Sequence, residues 1–445
     1  MVVSVAIVGS GPAGFYTANA LVEACPSYQI DIIERLPTPY GLIRGGVAPD
    51  HQTTKRVAKK FEKTAFFEEV NFYGNVEINK HVSLSRLRDI YDAVVLAVGA
   101  PSDRKLSIPG VDKYGVFGSA TFVGWYNGHP DFQDLNPCLN TDCAAVVGNG
   151  NVALDCARIL LRTRKAMAVT DLPLSAQNSI TESPITDVHV LGRRGPIEAN
   201  FTNVELRELG QLTQAGPQVR EEQLECDAET ELAAYEGRDR RVRERNLSTL
   251  AEYAKLEPGR KPKRLHLEFF ARPVAVLGGE SVEALRCERT QLVDGQAQGT
   301  GKFFEIPCGL VIAAIGYRAD RIDGAPYDQM RGIVPNDEGR VAPGLYAVGW
   351  IKRGPTGVIS SNRPDGEIVA GHIHEDALGQ GNPSKLGRMG LERVLRSSGH
   401  RWVTFRDWQR LDSLEQAAAV GQAPRRKFIT IEAMLDALDT TEQNN

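Results

Sequence analysis

Two short glycine patterns constrain this chain more than any other feature. The first is Gly9-Ser10-Gly11-Pro12-Ala13-Gly14, set between the apolar run Val2 to Val8 and a helical pattern over Ala13 to Glu23. In such a G-x-G-x-x-G turn the first glycine permits the tight bend. The second lets backbone approach a pyrophosphate, and the third lets helix and strand pack closely. The helix N-terminus then faces the phosphates with its free N–H groups and positive dipole end. A second strand, Gln29 to Glu34, follows. Glu34 falls about twenty residues past the last glycine, where an acid bonds the ribose hydroxyls of a dinucleotide.

The second pattern, Gly148-Asn149-Gly150-Asn151-Val152-Ala153, is a G-x-G-x-x-A variant between the strand AAVVG and a helix from Val152 to about Arg164. Its next strand, 187–192, runs into Gly192-Arg193-Arg194 instead of an acid. A carboxylate there would repel a 2′-phosphate, whereas two guanidiniums bind it with charge-assisted hydrogen bonds. The second site is therefore read as an NADP(H) site. NADP alone cannot account for the first site. FAD first, with NADP in an inserted second domain, is the arrangement of two-dinucleotide flavoprotein reductases.

Further apolar strands end in glycine at 91–99 and 309–316, and another spans 344–350. The expected fold class is α/β, with two nested doubly wound (Rossmann-like) dinucleotide-binding domains, the NADP domain inserted in the FAD domain. The boundaries expected are 1–104 for the first part of the FAD domain, 105–328 for the NADP domain, and 329–445 for the rest of the FAD domain and a C-terminal segment. The charged stretch Glu221 to Arg264 reads as exposed helix and loop.

The 43 glycines in 445 residues exceed the usual share of about 7%, and the excess sits in short loops after strands. A formal net charge of −4 does not suggest a nucleic-acid partner, and attraction to an acidic protein would need a local basic face. The N-terminus lacks the basic region and cleavage site of a signal peptide, and no stretch approaches the ~20 apolar residues of a membrane span. A soluble, cytoplasmic protein is expected, with no membrane association and a monomer as its state. Seven cysteines, an odd number with no C-x-x-C pair, argue against a disulfide framework and a dithiol redox centre. His372 and His374 are two apart on a predicted helix, and Cys138 and Cys143 lack partners, so no metal site is expected.

At this point the chain resembles the adrenodoxin reductase type of ferredoxin–NADP reductase. The matching segments are VGSGPAGFYTA (8–18), PYGLIRGGVAPDH (39–51), FYGNVE (72–77), FVGWYNGHP (122–130), VVGNGNVALDCARILL (146–161), GRRGP (192–196), FTNVELREL (201–209) and GWIKRGPTGVI (349–359), with RWVTFRDWQRLD (401–412) in the tail. The resemblance implies hydride transfer from NADPH to FAD, then single electrons to a [2Fe–2S] or related ferredoxin, with the reverse direction open. By matched position it assigns Gly9, Gly11, Pro12, Ala13, Gly14, Glu34, Leu42 and Val76 to the FAD site. Trp350, Gly357, Val358 and Ile359 fall at the flavin ring end. Asn149, Gly150, Asn151, Val152, Arg193, Arg194 and Glu205 go to the NADP site. His51 and Glu208 match polar residues that assist the nicotinamide and electron chemistry, and are the candidate catalytic pair. Glu198-Ala199-Asn200 departs from the apolar or Gln-containing stretch of the family, which bears on how the adenosine end is positioned.

The residues support these roles independently. Gly354-Pro355-Thr356-Gly357 precedes an expected helix whose amides could stabilise negative charge on a reduced flavin. Asp50 could cap a helix starting near His51, whose dipole would favour a neutral imidazole. Glu205 and Glu208, spaced i, i+3, share a helix face. An acidic ferredoxin would dock on a local basic face, for which Lys352, Arg353, Arg207 and the run Arg238 to Arg245 are candidates. The alternatives are another flavin-dependent NADPH oxidoreductase and a non-catalytic NADP-binding redox sensor.

Overall fold

Strand β1 (Ser4–Val8) is buried along its whole length, as expected of a parallel strand covered by helices on both faces. In this computed structural model, which describes residues 2–24, 27–225, 231–257, 259–377 and 381–442, β1 lies inside a six-stranded sheet. The chain continues through α1 (Pro12–Ala24), β2 (Gln29–Ile33), α2 (Leu42–Gly45), α3 (Gln52–Lys55), α4 (Ala58–Ala65), β3 (Val70–Tyr73) and β4 (Ala93–Leu96).

A second set of elements follows: β5 (Val116–Gly118), β6 (Cys143–Val147), α5 (Asn151–Leu161), β7 (Asp187–Leu191), α6 (Asn203–Gly210), β8 (Ala215–Gln218), α7 (Gly237–Ala254) and β9 (Lys263–Glu268). Next come the antiparallel strands β10 (Ala271–Leu277), β11 (Ala284–Val293) and β12 (Gln296–Pro307), and then the parallel strand β13 (Leu310–Ala313). The chain returns through β14 (Arg340–Ala342), β15 (Leu345–Ala347), α8 (Trp350–Arg353) and α9 (Asn362–Ala377).

The first sheet has the order β14-β15-β4-β1-β2-β3, parallel except for β14 against β15. The second has the order β5-β13-β6-β7-β9-β8 and is parallel throughout. In each, the strand that carries the glycine pattern is flanked by the next strand in sequence on one side and a later strand on the other. That is the topological switch point, where the crevice beyond the carboxyl ends of the strands takes a ligand.

The chain divides into two compact units, Met1–Ser102 with Asn127–Gln133 and Tyr317–Asn445, and Asp103–Tyr126 with Asp134–Gly316. Two segments expected in the second domain belong to the first unit. Residues 127–133 are held there by the Arg35–Asp131 ion pair at 2.6 Å and by Lys427 donating to the Asn127 carbonyl. Residues 317–328 join its core through buried Ala319 and Ile322, with Leu84 in the same cluster.

The stretch Glu221 to Arg264 is also less exposed than its charge suggests, over the part that is described. Helix α7 buries Asn246, Thr249, Leu250 and Tyr253. The Tyr253 hydroxyl donates to the Leu206 carbonyl at 2.9 Å and accepts from the Gly210 N–H at 3.1 Å, which fixes α6. The charges crowd into Arg238 to Arg245, just ahead of the buried positions, and masked this stripe. Cys25 and Cys226 lie outside the described residues.

Candidate functional site

The register of β1 and β2 pairs Val8 with Ile33, so Gly9 and Glu34 leave the sheet side by side. Gly9 has φ +110°, and a Cβ there would lie 2.5 Å from the Ala97 carbonyl oxygen. One at Gly14 would lie 2.1 Å from the Gly9 carbonyl oxygen. A Cβ at Gly11, by contrast, would meet nothing within 4 Å. Only the middle glycine faces open space, which is the cradle a pyrophosphate requires, and Pro12 and Ala13 open α1 directly behind it. The residues present therefore fit a dinucleotide.

The other residues expected around FAD are gathered in the same unit. Gly41, with φ +49°, brings its backbone to the Cα of Gly11, and Tyr40 N–H donates to the Ser10 carbonyl at 3.0 Å. Leu42, the next residue, is 45% exposed at the start of α2, a large apolar side chain left uncovered beside the cradle. Buried Val76 donates its N–H to the Glu34 carbonyl at 2.8 Å. At Gly349 a Cβ would lie 2.7 Å from the Ala13 Cβ, so α8 begins against the fingerprint helix and places Trp350 there. The Trp350 ring stacks on Tyr317 at 5.9 Å, and its Nε1 donates to the Thr356 carbonyl at 3.1 Å. Gly357 has φ +83°, and a Cβ there would clash with Ser361. Val358 is 61% exposed, and a single 3-10 turn, Ile359–Ser361, leads into α9.

Two local expectations are corrected here. The short helix after the PYGLIRGGVAPDH segment begins at Gln52, and His51, not Asp50, is its N-cap residue, without a side-chain capping bond. The preceding turn is closed by His51 N–H donating to the Ala48 carbonyl at 3.0 Å, and the Gln52 side-chain amide donates to the Pro49 carbonyl at 2.8 Å. Lys352 and Arg353 are not free surface charges. Both pair with Asp365 on α9, and their side chains are only 12% and 22% exposed.

The second unit repeats the arrangement. Val147 pairs with Leu191, and Gly148 N–H donates to the Leu191 carbonyl at 2.9 Å, as Gly9 does to Ile33 at 2.8 Å. Gly148 has φ +143° and would clash with the Ala314 carbonyl, while a Cβ at Gly150 meets nothing within 4 Å. Ala153, fully buried, closes the pattern in α5, whose first turn carries Asn151 and Val152. The position of Glu34 is taken by Gly192. Asn149 Nδ2 fills the space where a Gly192 side chain would stand, and its buried Oδ1 has no hydrogen-bond partner, as for an acceptor facing a ligand.

Arg193 and Arg194 follow, held by their backbones: Thr290 donates to the Arg193 carbonyl at 2.7 Å and Phe270 N–H to that of Arg194 at 3.1 Å. Among the described residues neither guanidinium is ion-paired, and Arg193 is exposed. Two free guanidiniums, an open glycine and an orphaned amide oxygen fit a nucleotide carrying a 2′-phosphate. The departing stretch Glu198-Ala199-Asn200 is tied to the same loop, because Asn200 N–H donates to the Asn149 carbonyl at 2.8 Å.

Glu205 and Glu208 stand one turn apart on α6, whose N-cap Thr202 accepts from Glu205 N–H. The sequence reading missed what lies behind them. Arg158 of α5, with a side chain 1% exposed, lies 3.2 Å from Glu205 and 3.3 Å from Glu208. A lone arginine in an apolar run gives little signal, because its usual place is the solvent face. Among the described cysteines, burial pushes the thiols of Cys143, Cys287 and Cys308 up to about 12, which leaves them unreactive as thiolates near neutral pH. No helix among the described residues is long and apolar enough to cross a membrane.

Comparison with known proteins follows the same lines. Residues 3–216 match the family model for pyridine nucleotide-disulphide oxidoreductases. The chain is 40% identical to the mitochondrial NADPH:adrenodoxin oxidoreductase of Arabidopsis thaliana, over 97% of this chain and 95% of the relative. It is also 40% identical to the NADPH-ferredoxin reductase FprA of Mycobacterium tuberculosis, over 97% and 98% of the two chains. The structure of that FprA in complex with NADPH superposes with a TM-score of 0.93 at 37% identity, covering 98% of this chain and 100% of the other.

Proposed function

Because the chain belongs to the family of NADPH:adrenodoxin and NADPH-ferredoxin reductases, we propose how its own residues divide the work of that reaction. The protein is an FAD- and NADP(H)-binding oxidoreductase of the ferredoxin reductase type. When bound, FAD supplies what side chains lack, a carrier that takes two electrons together and passes them on singly. Gly9 to Gly14 cradle its pyrophosphate, Glu34 bonds its ribose, and Leu42 and Val76 line its path. Trp350 and Gly357 to Ile359 meet the ring end. Asn149 to Val152 cradle the NADP(H) pyrophosphate, Arg193 and Arg194 clamp the 2′-phosphate, and Glu205 orients the nicotinamide half. His51 and Glu208 hold or move protons near the reacting rings.

One observation carries this reading: both fingerprints leave only their middle glycine open, yet one strand ends in an acid and the other in two arginines. The electron acceptor is a ferredoxin, docked on a basic face of the protein.

The test is direct. The purified protein should be yellow and release one FAD per chain on denaturation. Anaerobic NADPH should bleach it, and a [2Fe–2S] ferredoxin should then couple NADPH oxidation to cytochrome c reduction. Bleaching without any ferredoxin-dependent turnover, across the ferredoxins of the source organism, would remove the partner. Absence of bleaching would remove the reductase assignment and leave a nucleotide-binding sensor.

A further inference from the structure

Helix α5 buries a charge that the reaction as described does not use. Arg158 lies one turn after Asp155 and within a run that also buries Cys156, Ala157, Ile159, Leu160 and Leu161. Burying a guanidinium is tolerated only when it is fully paired. Its Nη2 lies 2.7 Å from Asp155 Oδ1, and its Nη1 lies 3.2 Å from Glu205 Oε2 and 3.3 Å from Glu208 Oε2. One nitrogen thus serves two carboxylates on α6 while the other is anchored to its own helix. Glu205 and Glu208 carry like charges one turn apart, and this shared nitrogen offsets their repulsion. Their side chains are still 16% and 30% exposed, so Arg158 holds them without covering them. Tyr253 of α7 also bonds α6, at the Leu206 carbonyl and the Gly210 N–H.

We infer that Arg158 is a positioning residue, which sets Glu205 and Glu208 for the nicotinamide half of NADP(H). This rests on the proposed placement of those two carboxylates in the nucleotide site. A planar fork is needed, because a lysine has one nitrogen and cannot reach Asp155 and the glutamate pair together.

The experiment uses the FAD-loaded protein and calorimetric titration with two probes, NADP+ and 2′,5′-ADP. The second carries the 2′-phosphate end but no nicotinamide. Arg158→Met should weaken NADP+ about tenfold or more, the worth of a charge-assisted hydrogen bond, while 2′,5′-ADP binds as in the wild type. Arg158→Lys should recover part of the NADP+ affinity. Equal loss of both probes would mean that the unit has merely been damaged, and no change in either would mean that Arg158 does not act on the site; each result overturns the inference. If Arg158→Met does not fold, Arg158→Lys decides by the same split. The double variant Glu205→Gln, Glu208→Gln separates the premise. Unchanged NADP+ binding there removes the carboxylates from the site and the inference with them. Weakened binding there, with wild-type behaviour of the Arg158 variants, removes only the role of Arg158.

Discussion

Glu34 Oε2 accepts hydrogen bonds from both the backbone N–H of Ser10, at 3.0 Å, and its hydroxyl, at 2.6 Å. The acid proposed to meet a ribose therefore also ties down the loop proposed to cradle the pyrophosphate. Its Oε1 takes the Leu36 N–H at 3.1 Å. Each carboxylate oxygen can accept more than one bond, so the two roles are compatible.

This double duty separates two substitutions. Glu34→Ala leaves the fully buried Ser10 with an unsatisfied N–H, a cost of about 1–3 kcal/mol, before any FAD contact is counted. Glu34→Gln keeps an acceptor and should cost less. Thermal melts of the FAD-free protein should rank wild type above Gln above Ala, and FAD affinity should fall in the same order. Equal apoprotein melts for all three would show that Glu34 serves the ribose alone.

The two arginines after β7 give a cofactor split. Losing one charge-assisted contact is worth about 1.5–3 kcal/mol, or roughly 10- to 150-fold in affinity. Arg193→Ala or Arg194→Ala should raise the KM for NADPH by such a factor and leave that for NADH nearly unchanged. Equal losses with both cofactors would mean that the pair does not read the 2′-phosphate.

What could be read in advance and what could not follow from the range of the interactions. The glycines at 9, 11 and 14 are dictated by backbone geometry within one turn, and Glu34 by the fixed length of a strand–helix–strand unit. Such constraints leave a local trace. The pairing of Lys352 and Arg353 with Asp365 depends on how α9 returns past α8, and nothing in GWIKRGPTGVI shows it. Arg158 depends on α6 lying against α5, more than forty residues away in sequence. The cap at His51 was missed because Asp at the preceding position is the better capping type, while the turn before it is closed by His51 N–H on the Ala48 carbonyl.

At the N-cap of a short helix, half-buried His51 carries a ring that can take up and release a proton, which glutamine cannot do. Positioned acid–base assistance is typically worth about 10²–10⁴-fold. His51→Gln should slow one of the two half-reactions in stopped flow, by roughly 10²-fold if the proton matters, with FAD content unchanged. Wild-type rates in both would return His51 to a structural role.

Acid stability tests a cluster on β7 and β9. Burial alone would raise the carboxyl of Asp187, but hydrogen bonds from Arg264 and His266 hold it down at about 2. Burial opposes the shift of Glu268 likewise, and His189, Arg220 and Arg289 bring it to about 2. Carboxyls depressed on folding stabilise fully above their unfolded values near 4, and that stabilisation is lost as pH falls toward 2. Arg264 is half exposed, so the Asp187 pairing is worth only about 1 kcal/mol, or roughly 2–4 °C in Tm. Asp187→Asn should melt lower by that amount at pH 7, and the gap should close between pH 4 and pH 2. A constant gap over this range would show that the ionised carboxylate is not what stabilises the strand pair.

Docking of a ferredoxin on a basic face, as proposed, requires exposed and unpaired cations. With Lys352 and Arg353 both turned to Asp365 and largely buried, the remaining candidates lie on α6 and α7. Within the run 238–245, Arg243 is also withdrawn, since its guanidinium covers the Tyr235 ring at 3.7 Å and donates to the Ile197 carbonyl, and Arg240 pairs with Glu244 at 2.9 Å. Arg207, Arg238, Arg241 and Arg245 remain exposed. A single exposed pair is worth about 0–1 kcal/mol, but several like charges on one face steer encounter and set orientation. The Debye length falls from about 30 Å at 0.01 M salt to about 10 Å at 0.1 M, so such steering fades early. Ferredoxin-dependent turnover should fall with salt well before reduction of a small neutral acceptor does. Arg241→Glu with Arg245→Glu should raise the KM for ferredoxin at low salt by about tenfold, equivalent to about 1.4 kcal/mol, and leave the small acceptor unaffected. Salt dependence that is the same for both acceptors would end the basic-face idea, and salt dependence that survives the double charge reversal would move the face away from α7.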